Sequence, residues 1–268
     1  MSARVNESRL RARLPRIVGP LVIALAWEAL TRTEVLDPRF FVPVTTILRT
    51  MGEMAASGVL ASEVAVTLQR LGLGFAGAAI GGVVLGVATG VSRTINLLFR
   101  PIIDTIYPIP KVALLPLLII MVGIGEPAFV LTAFMTAIFQ IVISVAAGVR
   151  DVDPLLIEAG RTYGATGWRF YWRVLIPGML PSLLHGLRIG MGMCLITVIA
   201  VEFVAANSGV GNIVHLSWQQ MQVPEMYVGL VVAGLLGHLI SLLFSLIERV
   251  ALPWRQSRSA VMSAQTGG

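Results

Sequence analysis

Charge is scarce in this chain. Asp, Glu, Lys and Arg together make up 13% of its 268 residues, against 56% hydrophobic residues and a mean hydropathy of +0.84. A soluble domain carries roughly 25% charged residues, so this composition predicts an integral membrane protein in contact with a lipid bilayer. Lysine is nearly absent: Lys111 stands alone and every other basic residue is arginine. The net charge of +6 therefore does not point to nucleic acid, because the arginines sit at the ends of apolar runs, where they set membrane orientation. The single cysteine, Cys194, excludes an intramolecular disulfide and any cysteine-cluster metal site, and reads as a small buried hydrophobe. No G-x-x-x-x-G-K-[ST] run occurs, so the phosphate cradle and lysine of a P-loop ATPase are missing. No H-E-x-x-H occurs, and His185, His215 and His238 fall in separate segments, which leaves a zinc site unsupported. No catalytic constellation, cofactor site or metal site is expected, and the chain is not expected to be an enzyme.

What is present is a series of long apolar runs. Five arginines in 1–16 precede a first run over 17–30, which reads as an uncleaved span and not a signal peptide, since no small-residue cleavage site follows it closely. Trp27 belongs at its far interface, with Glu28 snorkelling outwards. The piece 31–62 is too polar to span, but Pro43 followed by Ile47, Leu48, Met51 and Met54 predicts a surface helix. Further spans are expected over 66–90, from about 102, over 128–147, 183–203 and 227–247, making six. The second carries Gly77, Gly81, Gly82, Gly86 and Gly90, whose G-x-x-x-G steps permit close helix approach within the chain or between subunits. The third contains Pro108, Pro110 and Pro116 and must be broken or kinked. Lys111, inside that break, is a candidate for a solute path, with snorkelling or pairing to Asp104 as the alternative. Glu202, in VEF near the end of the fifth span, is a candidate gate or docking group, or a satisfied interfacial carboxylate. Arg188 and His185 lie on the same span and read as salt-bridging or snorkelling groups.

Between the fourth and fifth spans lies a polar and aromatic island, 153–177, DPLLIEAGRTYGATGWRFYWRVLIP. Asp153 can cap a helix opened by Pro154, with Glu158 in reach of its positive end and Gly164 as its stop. Thr166 can cap a second short helix through Trp168, Tyr171 and Trp172 that Pro177 ends. Arg161, Arg169 and Arg173 keep both out of hydrocarbon. The aromatics Trp168, Phe170, Tyr171 and Trp172 can anchor a partner protein or sit in the headgroup belt. With six spans both termini share the island's side, which also holds Arg93, Arg100 and Arg150. The other side holds only Arg32, Arg39, Arg49 and Arg70, and this imbalance places the island and both termini in the cytoplasm.

Glu158, Ala159, Gly164 and Pro177 fall at the spacing of the cytoplasmic EAA loop of bacterial ABC importer permeases, roughly E-A-A-x3-G-x9-I-x-L-P. The departures are Gly160, Val174 and Ile176, all small or aliphatic exchanges. WEAL near Trp27, the run 66–93, YPIPKVALLPLLI after Tyr107, VEFVAANSGVGN after Val201 and the closing IERVALPWR extend the match over nearly the whole chain. The sequence resembles the nitrate/sulfonate/taurine-type branch of binding-protein-dependent permeases. That resemblance implies an all-α, six-span transmembrane domain of the small type I (MetI-like) importer fold over 17–250. It implies a coupling loop at 151–177 that uses Glu158, Ala159, Gly160, Gly164, Trp168, Tyr171, Trp172 and Pro177, a basic N-terminus at 1–16 and a C-terminal tail at 251–268. The implied partners are two ATP-binding subunits, an external solute-binding protein and a second permease copy, in the bacterial inner membrane. Substrates of the branch include nitrate, sulfonates, taurine, bicarbonate and some vitamin or pyrimidine precursors.

A self-contained secondary transporter or channel, with Lys111, Asp104 and Glu202 as its path, would show internal repeats, and none is visible. A membrane-embedded hydrolase would need a nucleophile such as Ser144 or Ser182 beside a histidine on a facing span.

Overall fold

The computed structural model describes residues 18–253, so the expected basic N-terminus and most of the C-terminal tail lie outside the described residues. These residues are helical throughout, with no strand among them. Helix α1 covers 18–32, and α2, the expected surface helix, runs Val44–Ala56. Then follow α3 (Val59–Val91), α4 (Arg93–Ile106), α5 (Leu115–Val122) and α6 (Glu126–Arg150). Helix α7 (Pro154–Thr162) and α8 (Gly167–Phe170) form the island, and α9 (Ile176–Ala205), α10 (Val210–Gln219) and α11 (Val223–Ala251) complete the chain.

Four stretches are long and apolar enough to cross a bilayer, and α4 with α5 makes a fifth as a pair bent by 86°. The first expected span, 17–30, coincides with α1, whose described part is too short to be counted among them. At its end Trp27 donates to the Val42 carbonyl at 2.9 Å and lies beside Phe41 and Tyr227. Glu28 does not simply reach outwards: it accepts from Arg32 and from the Thr45 amide and hydroxyl, which ties α1 to the start of α2.

The bend between α4 and α5 follows from Pro108 and Pro110, which can neither donate to a helical ladder nor tolerate the carbonyl four residues back. A 3₁₀ turn, Lys111–Leu114, restarts the chain, with Pro116 in the first turn of α5. Helix α3 packs along α6 through its glycines. A Cβ added at Gly82, Gly86 or Gly90 would stand 2.8, 2.7 or 2.6 Å from Ile141, Val145 or Val149, so the two backbones approach as closely as glycine alone allows. The close steps in α3 are therefore spent within the chain.

At the end of the bundle away from the island, α3, α6, α9 and α10 meet on one polar cluster. The Glu202 carboxylate has no exposed surface. It accepts from the Thr67 hydroxyl at 2.9 Å, the Arg70 guanidinium at 2.9 Å and the Gly211 amide at 3.0 Å. Thr67 in turn accepts from the Val210 amide, and Glu63 accepts from the Gly209 amide. Both carboxylates thus cap the start of α10, where free amides and the helix dipole favour negative charge. Arg70, 2% exposed, spends all five N–H groups: two on Glu126, one on Glu202, and one each on the carbonyl and hydroxyl of Ser208. Its guanidinium also lies 5.1 Å from the Phe129 ring centroid. Arg70, expected in an external loop, is instead a buried residue of α3, because two carboxylates from distant helices neutralise it there. The chain fits around Glu202 only because Gly209 and Gly211 have no side chains. A Cβ at either would collide with Glu202, and at Gly211 also with the Ile199 carbonyl.

Three outcomes are expected from thermal unfolding of purified variants. Gly86→Leu overpacks the α3–α6 seam and costs about 1–3 kcal/mol, partly restored by Val145→Ala. Arg70→Ala strands the Glu202 charge and costs about 3–5 kcal/mol. Glu126→Ala costs roughly 1 kcal/mol or less, because that carboxylate is 59% exposed. Equal losses for the Arg70 and Glu126 variants would contradict this ranking.

Candidate functional site: the island and the arms that carry it

The first island helix begins and ends by side-chain and backbone chemistry that the sequence announces. The Asp153 carboxylate accepts from the Leu155 amide at 2.9 Å, and Pro154 occupies the first helical position. At the other end Gly164 has φ +78°, its amide donates to the Arg161 carbonyl at 3.0 Å, and the Ala165 amide donates to the Gly160 carbonyl at 2.9 Å. These two bonds are a Schellman closure, which needs a left-handed residue at the Gly164 position. Gly160 lies against Val174: a Cβ there would stand 2.6 Å from Val174 Cγ2. Two of the three departures from the loop pattern therefore touch each other.

Thr166 stands at the start of α8 but its hydroxyl caps nothing. Pro177 does not end the second helix, contrary to expectation. A π turn, Tyr171–Leu175, joins α8 directly to α9, with the Ile176 amide donating to the Tyr171 carbonyl five residues back. The wider turn relieves the clash that a proline imposes on a regular α-helix, so Pro177 sits in the first turn of α9 and the helix runs on. The island's second arm and the fifth span are one rod from Gly167 to Ala205.

The island's side chains divide. Trp168 and Trp172, one turn apart, face outwards, 74% and 56% exposed, with ring centroids 5.9 Å apart. Tyr171 and Phe170 turn inwards and pack on the core, and Arg161 reaches over the Phe170 ring to tie α7 to α8. Leu155, Leu156 and Tyr163 of the first arm add exposed apolar surface, which the sequence pattern did not single out. Glu158 is exposed, and Ala159 and Gly160 are half-buried beside it. No side-chain partner of Glu158 is found among the described residues. The arrangement is an apolar patch rimmed by a free carboxylate, carried on two arms of fixed geometry.

The two candidate path residues lie elsewhere and serve backbone groups. Lys111 Nζ donates to the carbonyls of Ile106, Tyr107 and Ile109 at 2.8, 3.0 and 2.7 Å and lies 5.4 Å from the Phe139 ring centroid. It thereby satisfies the carbonyls that the broken helix leaves free. Asp104 pairs with Arg100 and not with Lys111. Glu202 belongs to the buried cluster at the far end. Gln140 accepts from the Tyr107 hydroxyl at 3.0 Å, which links the bend to α6. Among the described residues no group of three His, Cys, Asp or Glu side chains could hold a metal ion.

Comparison with known proteins fits this architecture. Residues 82–255 match the family described as "Binding-protein-dependent transport system inner membrane component". The Escherichia coli taurine transport system permease protein TauC is 30% identical over 95% of this chain and 98% of its own length. The Escherichia coli putative aliphatic sulfonates transport permease protein SsuC is 30% identical over 88% and 89%. The Synechocystis nitrate import permease protein NrtB is 26% identical over 90% and 92%. Among solved structures, an inward-facing MetNI methionine ABC transporter superposes with a TM-score of 0.60 at 25% identity, over 69% of this chain and 92% of that one. An amino acid ABC transporter shares the fold with a TM-score of 0.58 at 19% identity, over 74% and 96%. The match over most of the chain, the MetI-like helical fold and the EAA-type island with its exposed patch lead to one conclusion: the chain belongs to the binding-protein-dependent transport system inner membrane components and is a multi-pass permease subunit of an ABC importer.

Proposed function

We propose that this permease, as one of two identical copies, forms the path for a small anionic solute of the sulfonate, taurine or nitrate kind. The island faces the cytoplasm with both termini, and each copy receives one ATP-binding subunit there. An external solute-binding protein delivers the solute at the opposite face. The observation that carries this reading is the exposed Trp168–Trp172 pair on a helix continuous with α9. A large apolar patch outside the bilayer needs a partner, and a partner that grips it moves a membrane span directly. Glu158, Ala159, Gly160 and Gly164 give the docking arm its charge and shape, Tyr171 and Pro177 fix how it joins α9. ATP-driven closure of the two ATPases turns the path outwards and hydrolysis lets it return. The two ends of the chain thereby bias one two-state equilibrium. Lys111 and Glu202 act on the path by holding its walls: Lys111 closes the backbone of the bent third span, and Glu202 locks the fifth span at the external end.

Pulldown of the ATPase by the purified chain tests the docking surface. Wild type is expected to retain it, and Trp168→Ala to weaken retention roughly 30-fold, as for an interface anchor worth about 2 kcal/mol. Glu158→Arg and Gly164→Pro are expected to lose it, the latter because proline cannot adopt φ +78°. No ATPase on wild type, or full retention by these variants, removes the reading. Uptake into proteoliposomes holding the assembled importer, with taurine, ethanesulfonate and nitrate as probes, is expected for at least one of them. Lys111→Met is expected to lower uptake and thermal stability together, since the Ile106, Tyr107 and Ile109 carbonyls lose the ammonium and only Ile106 keeps a backbone donor, the Ile109 amide. Lost uptake at unchanged stability would instead make the Lys111 ammonium a solute contact.

A further inference from the structure

Two arginines lie within the helical bundle on membrane-spanning helices, and they are treated in opposite ways. Arg70 has no N–H left to give. Arg188, on α9 roughly 18 Å from the start of that helix at 1.5 Å per residue, uses little of its capacity. One terminal nitrogen donates to the Ser241 hydroxyl at 2.6 Å, and the other stands 3.7 Å from the Glu248 carboxylate, beyond hydrogen-bond length. The side chains of that pair are 35% and 31% exposed, so the contact is weakly held and solvent-screened.

The unspent part of Arg188 faces open space. A cavity of about 550 Å³ lies against α6 and α9 and is lined by Asp151, Ser182, His185, Arg188 and Glu248, among others. A second, of about 340 Å³, lies between α9 and α11 and shares His185 and Arg188 with the first. Spaces of this size suit small solutes. Neither His185 nor the Ser182 hydroxyl has a hydrogen-bond partner among the described residues. Beside the larger cavity α6 and α9 cross closely through small residues, with Gly186 against Ser144 and Gly148 against Ser182.

We propose that Arg188, with His185 and Ser182, is a contact point for the oxoanion group of the transported solute, and that Glu248 is the resident counter-ion which the solute displaces. This rests on the permease reading above. A guanidinium fork matches a planar or trigonal oxoanion with two parallel N–H groups, a better partner than a carboxylate at 3.7 Å. Asp151 and Glu248 set two carboxylates against the one guanidinium of this lining, so an anion at Arg188 is held weakly and also released, as a pathway requires. Because Glu248 is on α11 and Arg188 on α9, exchange of the counter-ion reports the solute's arrival from one helix to the other.

The test is thermal unfolding of the full-length chain in phosphatidylcholine nanodiscs, titrated with the same three probes against chloride at matched ionic strength. At least one oxoanion is expected to stabilise wild type. Arg188→Gln should abolish the response and Arg188→Lys should keep part of it. Glu248→Gln should respond at about tenfold lower anion concentration, because the competitor is gone. A purely structural ion pair would make the Arg188→Gln and Glu248→Gln responses move in the same direction, and that result overturns the proposal. So does the absence of any oxoanion response in wild type, or a wild-type response from Arg188→Gln. Replacing part of the lipid with phosphatidylglycerol separates the two sources of oxoanion. An Arg188-dependent effect of that lipid alone, with none from the soluble probes, assigns the site to a headgroup and removes the solute. The pulldown of the ATPase contains no anion probe, so a failure of the permease reading shows there and not here.

Discussion

A carboxylate with no exposed surface has to be surrounded by donors, and the donors for Glu202 come from places that the chain must bring together. Thr67 and Arg70 lie on α3, Glu126 at the start of α6 shares Arg70 with it, and the Gly211 amide comes from the first turn of α10, whose Gly209 and Val210 amides donate instead to Glu63 and Thr67. Breaking the Arg70–Glu202 contact leaves a buried charge, so the helices that meet there are held to one geometry at their far ends. The glycines of NSGVGN belong to the same constraint, since the loop closes over the carboxylate with no space for side chains. Elsewhere the bundle is held by apolar packing along the α3–α6 seam, which fixes distance but tolerates sliding more readily than a saturated polar cluster does.

Backbone irregularity follows one rule throughout. Where the chain breaks or ends a regular α-helix, a specific group satisfies what is released. Lys111 does this for the bend after α4 with three hydrogen bonds to carbonyls. The π turn does it for Pro177 by passing each hydrogen bond one residue further along. The island's first arm does it with a carboxylate at one end and a glycine closure at the other.

Local chemistry made much of this legible in the sequence. Asp153–Pro154 and Gly164 mark helix ends through bonds to residues two to five positions away, and hydropathy located the second, fourth, fifth and sixth expected spans to within about two turns, while the third begins at Arg93, well before the expected start near 102. The partners of Arg70 were not legible, because they lie 56 and 132 residues away in the chain and only the tertiary fold brings them near. Arg70 therefore looked like an external loop residue. Trp168 and Trp172 share a face by their spacing, but which face points outwards depends on the π turn, and no residue type announces one. The rule that proline ends a helix failed at Pro177 for the same reason. Lys111 stands out in the sequence, yet a lysine that serves carbonyls and one that serves a solute look alike there.

The union of the island's second arm with α9 has a mechanical consequence. From Trp168 to Glu202 the rod spans 34 residues, about 51 Å at 1.5 Å per residue, and it is pinned at the Glu202 end. The rod is one continuous helical run towards that pin, and the π turn at Tyr171–Leu175 and Pro181 are the two places along it where it can bend. Arg188 lies roughly two fifths of the way from pin to handle. A rigid tilt of this rod about the Glu202 end that moved the tryptophans by a few ångströms would move the guanidinium by an ångström or two. That is the scale on which a contact 3.7 Å long is made or broken.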